Sequence, residues 1–230
     1  MEVVKTKGGV EMKKLFFCLI LVVGLVGNAW ATLIGSISGP SNGLSGTDGW
    51  SDAILKWEVS FDATKNYWVY EYWFEVDEKD ISHVIFEVST DFREYDILSG
   101  TTTKWELNTY TSSGPGNSNP GLPGEIYGLK WEFNNTKTAY VKIVTNRAPM
   151  WGDFYAKDGT DSGVDVYAYN TMFGVSTNVP YDQNPPPVGW VLVPDTESVY
   201  PVPEPSTLLL LGTGLIGLGV FARKRLQMRG

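Results

Sequence analysis

Two residue types that carry much of enzyme chemistry are nearly missing from this chain. It has one cysteine, Cys18, and one histidine, His83. That supply cannot fill a zinc site of the usual four-ligand kind. A Ser or Cys nucleophile with a histidine base would have to use His83. No Gly-x-Ser-x-Gly accompanies it, and a lone histidine at the start of a strand reads as structural. Basic residues are scarce as well. Between residues 32 and 202 there are 10 Lys and Arg against 23 Asp and Glu, a balance of −13. Such a surface repels nucleic acid and anionic lipid, and tolerates divalent cations and neutral sugars. No internal segment repeats its apolar residues with helical spacing, and long apolar runs occur only at the two ends.

The ends are built alike but oppositely. Near the start, Met12-Lys13-Lys14 precedes an apolar run from Leu15 to Val26, which closes on Ala29-Trp30-Ala31. A basic pair, a run too short for a comfortable span and a small-x-small site together predict a signal peptide over residues 1–31. Signal peptidase would cut after Ala31. Residues 1–11 are polar, so Met12 is an alternative start. Cys18 lacks the small residues that precede a lipoprotein cysteine, and cleavage would leave a mature chain with no thiol.

At the other end, Val202-Pro203-Glu204-Pro205 leads into an uncharged run from Ser206 to Ala222, and Arg223-Lys224-Arg225 follows. A bilayer core needs about 20 apolar residues, with a lower limit of roughly 17. The run meets that limit and lacks the polar face expected of a soluble helix. It predicts a transmembrane helix over residues 206–222 with the basic triplet as a cytoplasmic anchor. The segment between the two signals is then carried across the inner membrane.

Pro-Glu-Pro, a Leu/Gly membrane segment and a short Arg-rich end, in this order, resemble the PEP-CTERM sorting signal of Gram-negative bacteria. The resemblance covers residues 202–230. It implies recognition by a membrane-embedded exosortase, with Val202, Pro203, Glu204 and Pro205 as recognition rather than catalytic residues. It implies a precursor in the inner membrane with a periplasmic ectodomain, and a mature form in the envelope or outside the cell. Hosts of the family usually make extracellular polysaccharide, which suggests a biofilm setting. Segments such as Asp80-Ile81-Ser82-His83 and Trp151-Gly152-Asp153-Phe154-Tyr155 are similar to ectodomains of other proteins with this signal, without an activity attached.

Between the signals the period is two. Leu55, Trp57, Val59 and Phe61 alternate with Lys56, Glu58 and Ser60, which predicts a half-buried strand. A turn over Asp62 to Asn66 and an aromatic strand from Tyr67 to Val76 complete a hairpin. That second strand is aromatic on both faces, so one is either covered or an exposed platform. Further strands are expected over His83–Ser89 and Lys104–Tyr110. Hairpins are expected from Glu125–Phe133 with Thr138–Thr145, and from Trp151–Lys157 with Val164–Phe173. Thr111 to Gly124 form a long Gly/Pro/Ser/Asn loop of a kind that is often functional. The prolines from Val175 onward predict an extended spacer over residues 175–201. The expectation is a mainly β, antiparallel β-sandwich over residues 32–174, jelly-roll connectivity being one form of it.

Three functions compete. The first is a non-enzymatic, exosortase-sorted envelope or matrix protein. The second is a carbohydrate-binding module using exposed Trp and Tyr, drawn from Trp50, Trp57, Trp68, Trp73, Trp105, Trp131, Trp151 and Trp190. The third is a glycoside hydrolase with paired carboxylates, such as Glu71 with Glu75, or Glu87, Asp91, Glu94 and Asp96. No cofactor is expected. Asp153, Asp158, Asp161 and Asp165 surround a Gly-rich turn and are weak candidates for calcium. Their spacing is not that of an EF-hand, and an ordinary turn is the preferred reading. Exosortase, signal peptidase and the membrane are the expected partners, with polysaccharide as a further one and nucleic acid excluded.

Overall fold

The computed structural model describes residues 32–195, apart from 48, 114–118, 159–162, 176–180 and 185. The signal-peptide and membrane-helix segments, 1–31 and 206–222, lie outside the described residues. Among the described residues no helix is long and apolar enough to cross a membrane.

The described chain is mainly β, in antiparallel sheets. In order it forms β1 (Thr32–Ser38), β2 (Leu44–Gly46), β3 (Ile54–Asp62), β4 (Tyr67–Glu75), β5 (Ile81–Glu87), β6 (Ile97–Gly100), β7 (Trp105–Tyr110), β8 (Ile126–Glu132), β9 (Thr138–Thr145), β10 (Met150–Gly152), β11 (Phe154–Asp158), β12 (Tyr167–Asn170) and β13 (Val191–Val193). A short 3-10 turn, Glu94–Asp96, precedes β6. The first sheet has the order β1-β3-β4-β9-β6, the second β2-β12-β11-β5-β8-β7, and β10 with β13 make a separate ribbon.

The β3–β4 hairpin forms where the alternation and the turn chemistry coincide. Asp62 accepts hydrogen bonds from the Thr64 and Lys65 amides at 3.0 and 3.1 Å, and Asn66 takes the left-handed φ of 57°. An Asp that caps its own turn and an Asn that tolerates positive φ both favour this reversal. The register that follows pairs Lys56 with Trp73 and Glu58 with Glu71. Trp57, Val59, Trp68, Tyr70, Tyr72 and Phe74 are thereby buried together. They meet inward side chains of the second sheet, with Tyr72 to Phe86 ring centroids 3.9 Å apart and Phe74 to Phe154 5.2 Å apart. The buried phenols have partners: Tyr70 donates to the Arg147 carbonyl and Tyr72 to the Leu192 carbonyl, each at 2.8 Å.

Two expectations are corrected here. The segments 125–133 and 138–145 do not pair with each other. β8 pairs with β5 and β7 in the second sheet, whereas β9 pairs with β4 and β6 in the first. Asn135, with φ 50°, turns the chain as expected, but the turn lies on a connection that changes sheets. The connection from β4 to β5 crosses beside it. The Val76 amide donates to Lys137 and the Ile81 amide to Thr136, at 2.9 and 2.8 Å. A local turn signal fixes a reversal but not which sheet edge the next strand joins.

The second correction concerns the spacer. Part of the proline-rich stretch belongs to the folded domain, because β13 pairs with β10 and Val191, Leu192 and Val193 are buried. The triplet also supplies the Leu192 carbonyl that accepts the Tyr72 hydroxyl. Proline density on both sides of it masked that short strand in the sequence.

The loop after β7 also finds a structural place. Its second half lies on the outer face of the second sheet, where Leu122 joins Ile85, Tyr110, Ile126 and Tyr155 in a buried cluster. Tyr155 donates to the Pro120 carbonyl at 2.8 Å. Gly121, with φ 69°, lies so close to the Tyr167 ring that any side chain would collide with it.

Candidate functional site

Among the described residues, the outer face of the first sheet brings aromatic and charged side chains together on an open surface. β4 sends Trp68, Tyr70, Tyr72 and Phe74 inward and leaves Glu71, Trp73 and Glu75 on the other side, half-buried. The strand that is aromatic on both faces is thus covered on one and open on the other. Across the ladder, Trp73 lies between Lys56 of β3 and Tyr140 of β9. The Trp73 and Tyr140 rings are 5.6 Å apart and tilted by 38°, and Tyr140 is 37% exposed. One row along, Glu71 accepts a hydrogen bond from the Tyr140 hydroxyl and pairs with Lys142 at 3.3 Å. On the other side Lys56 and Glu75 pair at 2.9 Å. Partial burial and then the Glu71 carboxylate push the Tyr140 phenol up to about 12. It therefore stays a hydrogen-bond donor at neutral pH. Two tilted rings form the middle of this patch, and an acid–base pair stands on either side.

Few of the other tryptophans are free to bind. Trp50, Trp57, Trp68, Trp131 and Trp151 are buried. Trp73, Trp105 and Trp190 are half-buried, and the Trp190 indole donates to the Val175 carbonyl at 2.9 Å. Tyr140 was missed as a site residue in the sequence, because its partnership with Trp73 follows from a ladder between strands far apart in the chain.

Most of the carboxylates proposed as hydrolase pairs are engaged by cations or in other contacts. Glu71 and Glu75 share a face but stand four strand residues apart, about 13 Å along an extended chain. A glycosidase pair needs about 5 to 9.5 Å, and each of the two is held by a lysine. Asp91 and Asp96 both grip Arg147, each at 2.9 Å. Arg147 also lies over the Phe92 ring, 5.7 Å from its centroid. That node ties the 3-10 turn to the end of β9. His83 is buried, with Nε2 3.0 Å from Asn119 Oδ1. Burial, then the nearby Lys130 charge, lower its pKa to about 4.

Glu87 turns instead toward Asp153, a contact that no local motif announces. Its Oε2 accepts the Asp153 amide at 2.8 Å. The Asp153 carboxylate accepts from the Asn170 side chain at 3.0 Å and from the Gly174 amide at 2.7 Å. Asn170 in turn donates to the Gly189 carbonyl at 2.9 Å. Burial, followed by the Asp153 and Asp195 charges, raises Glu87 to about 8. Asp195 rises to about 6, mainly through burial and then Asp153. Asp153 is raised as well, by burial. This polar knot fastens β5, β12 and the approach to β13.

The calcium candidates do not assemble as one group. Asp153 just precedes β11 and Asp158 ends it, about 16 Å apart along an extended chain. Asp165 lies in an exposed loop, and Asp161 lies outside the described residues. Among the described residues no group of three or more His, Cys, Asp or Glu side chains is placed to hold a metal ion.

Val202, Pro203, Glu204, Pro205, Arg223, Lys224 and Arg225 lie outside the described residues, as do Ala29 and Ala31. Residues 201–225 match the family model of the PEP-CTERM protein-sorting motif. The chain carries a PEP-CTERM sorting motif. The motif marks an exported precursor that passes the membrane and is sorted to the cell surface by an exosortase. The match spans the end of the chain, and the β domain that precedes the PEP-CTERM motif lies outside it. No curated protein and no solved structure matches the chain.

Proposed function

We propose that this is a non-enzymatic envelope or extracellular-matrix protein, a β-sandwich carried outward by a cleaved signal peptide and sorted through its PEP-CTERM tail. The observation that carries the reading is the sorting motif at residues 201–225 behind an antiparallel β domain. The aromatic contacts between the two sheets support the sandwich. Residues 206–222 hold the precursor in the inner membrane, with Arg223 to Arg225 on the cytoplasmic side. The engagement of these acidic side chains in ion pairs and a polar knot favours display over hydrolysis. Its setting is a biofilm matrix rich in exopolysaccharide. Fractionation of a host with and without its exosortase tests the reading. The protein should leave the inner membrane only when the exosortase is present, and the same distribution in both strains would refute the sorting step.

A further inference from the structure

The outer face of the first sheet has no use in that reading, yet its residues are arranged as a binding surface. We propose that Trp73 and Tyr140, framed by Glu71–Lys142 and Lys56–Glu75, form a site for a neutral polysaccharide chain.

The argument begins with the ladder. Lys56, Trp73 and Tyr140 stand in one cross-strand row, Glu71 and Lys142 in the row beside it, and Glu75 and Thr138 in the row on the other side. Pyranose rings are apolar on their C–H faces and polar around their rims. A half-buried indole and a phenol 37% exposed, 5.6 Å apart, give such a chain a patch of aromatic surface. The flanking groups offer what the rim needs, with ammonium donors on Lys56 and Lys142 and carboxylate acceptors on Glu71 and Glu75. The lysines already touch these carboxylates at 2.9 and 3.3 Å. The polar frame is therefore held in place before a ligand arrives, which lowers the ordering cost of binding.

Charge selects the ligand class. With Glu58 directly opposite Glu71, the face carries three glutamates against two lysines, so an anionic polymer gains no net attraction at the patch. The surrounding segment, at −13 between residues 32 and 202, repels it. The same composition argues against a protein partner, since the buried centre of a protein interface is depleted of charge. Four charged side chains immediately around two aromatics suit a hydroxyl-rich surface better.

Binding by the purified chain does not require processing, so this site is tested separately from sorting. The full-length protein in lauryldimethylamine oxide, a detergent without a sugar headgroup, is run in native gels. The gels contain hydroxyethyl cellulose, dextran, a neutral mannan or, as the anionic comparison, alginate. Retardation by at least one neutral polymer is expected, with little by alginate. A sugar face covering about 50 Å² of ring predicts about tenfold weaker retardation for either Trp73→Ala or Tyr140→Ala. Tyr95→Ala, at a position 78% exposed on the 3-10 turn, should bind as the parent does. Near-ultraviolet circular dichroism checks the fold, and if Trp73→Ala does not fold, the more exposed Tyr140→Ala decides. Absence of retardation by all the neutral polymers, retardation by alginate alone, or undiminished retardation of a folded Tyr140→Ala would each overturn the proposal.

Discussion

Replacing Glu87 with glutamine should remove a loss of stability that the parent protein suffers between pH 6.5 and 8. The folded domain holds Glu87 at about 8 against an ordinary 4.5. Between those values the folded state binds a proton that the unfolded state has released, so each unit of rising pH removes about 1.4 kcal/mol of stability. Two other buried groups complicate lower pH. His83, lowered from 6.5 to about 4, contributes stability that is full above 6.5 and fades as the pH falls toward 4. Asp195, raised from 3.8 to about 6, contributes stability that is full below 3.8 and is spent by pH 6. Above pH 6.5 both have nearly finished titrating, and what remains is under about 0.5 kcal/mol for each and of opposite sign. From there to pH 8 Glu87 is the dominant change, and the expected loss is about 1.5 kcal/mol. Urea unfolding followed by tryptophan fluorescence measures it directly. Glu87→Gln keeps an acceptor for the Asp153 amide and has no proton to lose, so its stability should be flat over the same window. A parent whose stability is constant from pH 6.5 to 8, or a Glu87→Gln variant that keeps the parent's slope, would refute the reasoning.

Val193→Asp should destabilise the domain by at least about 3 kcal/mol, because it places a charge in the buried ribbon of β10 and β13. Urea unfolding checks this, and a silent substitution would restore residues 175–201 to a free spacer. N-terminal sequencing of protein recovered from the envelope should begin at Thr32, and a mature form that retains Leu15 to Val26 would contradict export through a cleaved signal peptide.

Much of the strand content was legible because the alternation is strong. The residues from Leu55 to Phe61 and from Tyr67 to Val76 each show period two around a turn built from Asp62 and Asn66, and that hairpin forms as read. The same holds for the pairing of β11 with β12. The failed hairpin shows the limit. Asn134 and Asn135 announce a turn, but neighbouring connections decide that β8 and β9 go to different sheets. The short strand Val191–Val193 was hidden because proline lowers strand expectation over a window wider than three residues. At the candidate site, the two faces of β4 were legible while their fates were not. Trp73 gains its meaning from Tyr140, and Glu87 gains its raised pKa from Asp153 and Asp195, across separations that no local pattern spans. The sorting motif was readable because a linear recognition signal does not depend on the fold.

That signal is the central claim, and Glu204→Ala tests it most directly. A charged carboxylate costs a few kcal/mol deep in hydrocarbon, which on the proposed sorting route keeps Glu204 within reach of a membrane-embedded enzyme. In a host that encodes an exosortase, the parent should be processed to a lower apparent mass. Glu204→Ala should insert normally and accumulate uncleaved in the inner membrane, as the parent does in an exosortase-deletion strain. Identical processing of the parent and Glu204→Ala would contradict the account and leave the tail as a simple anchor.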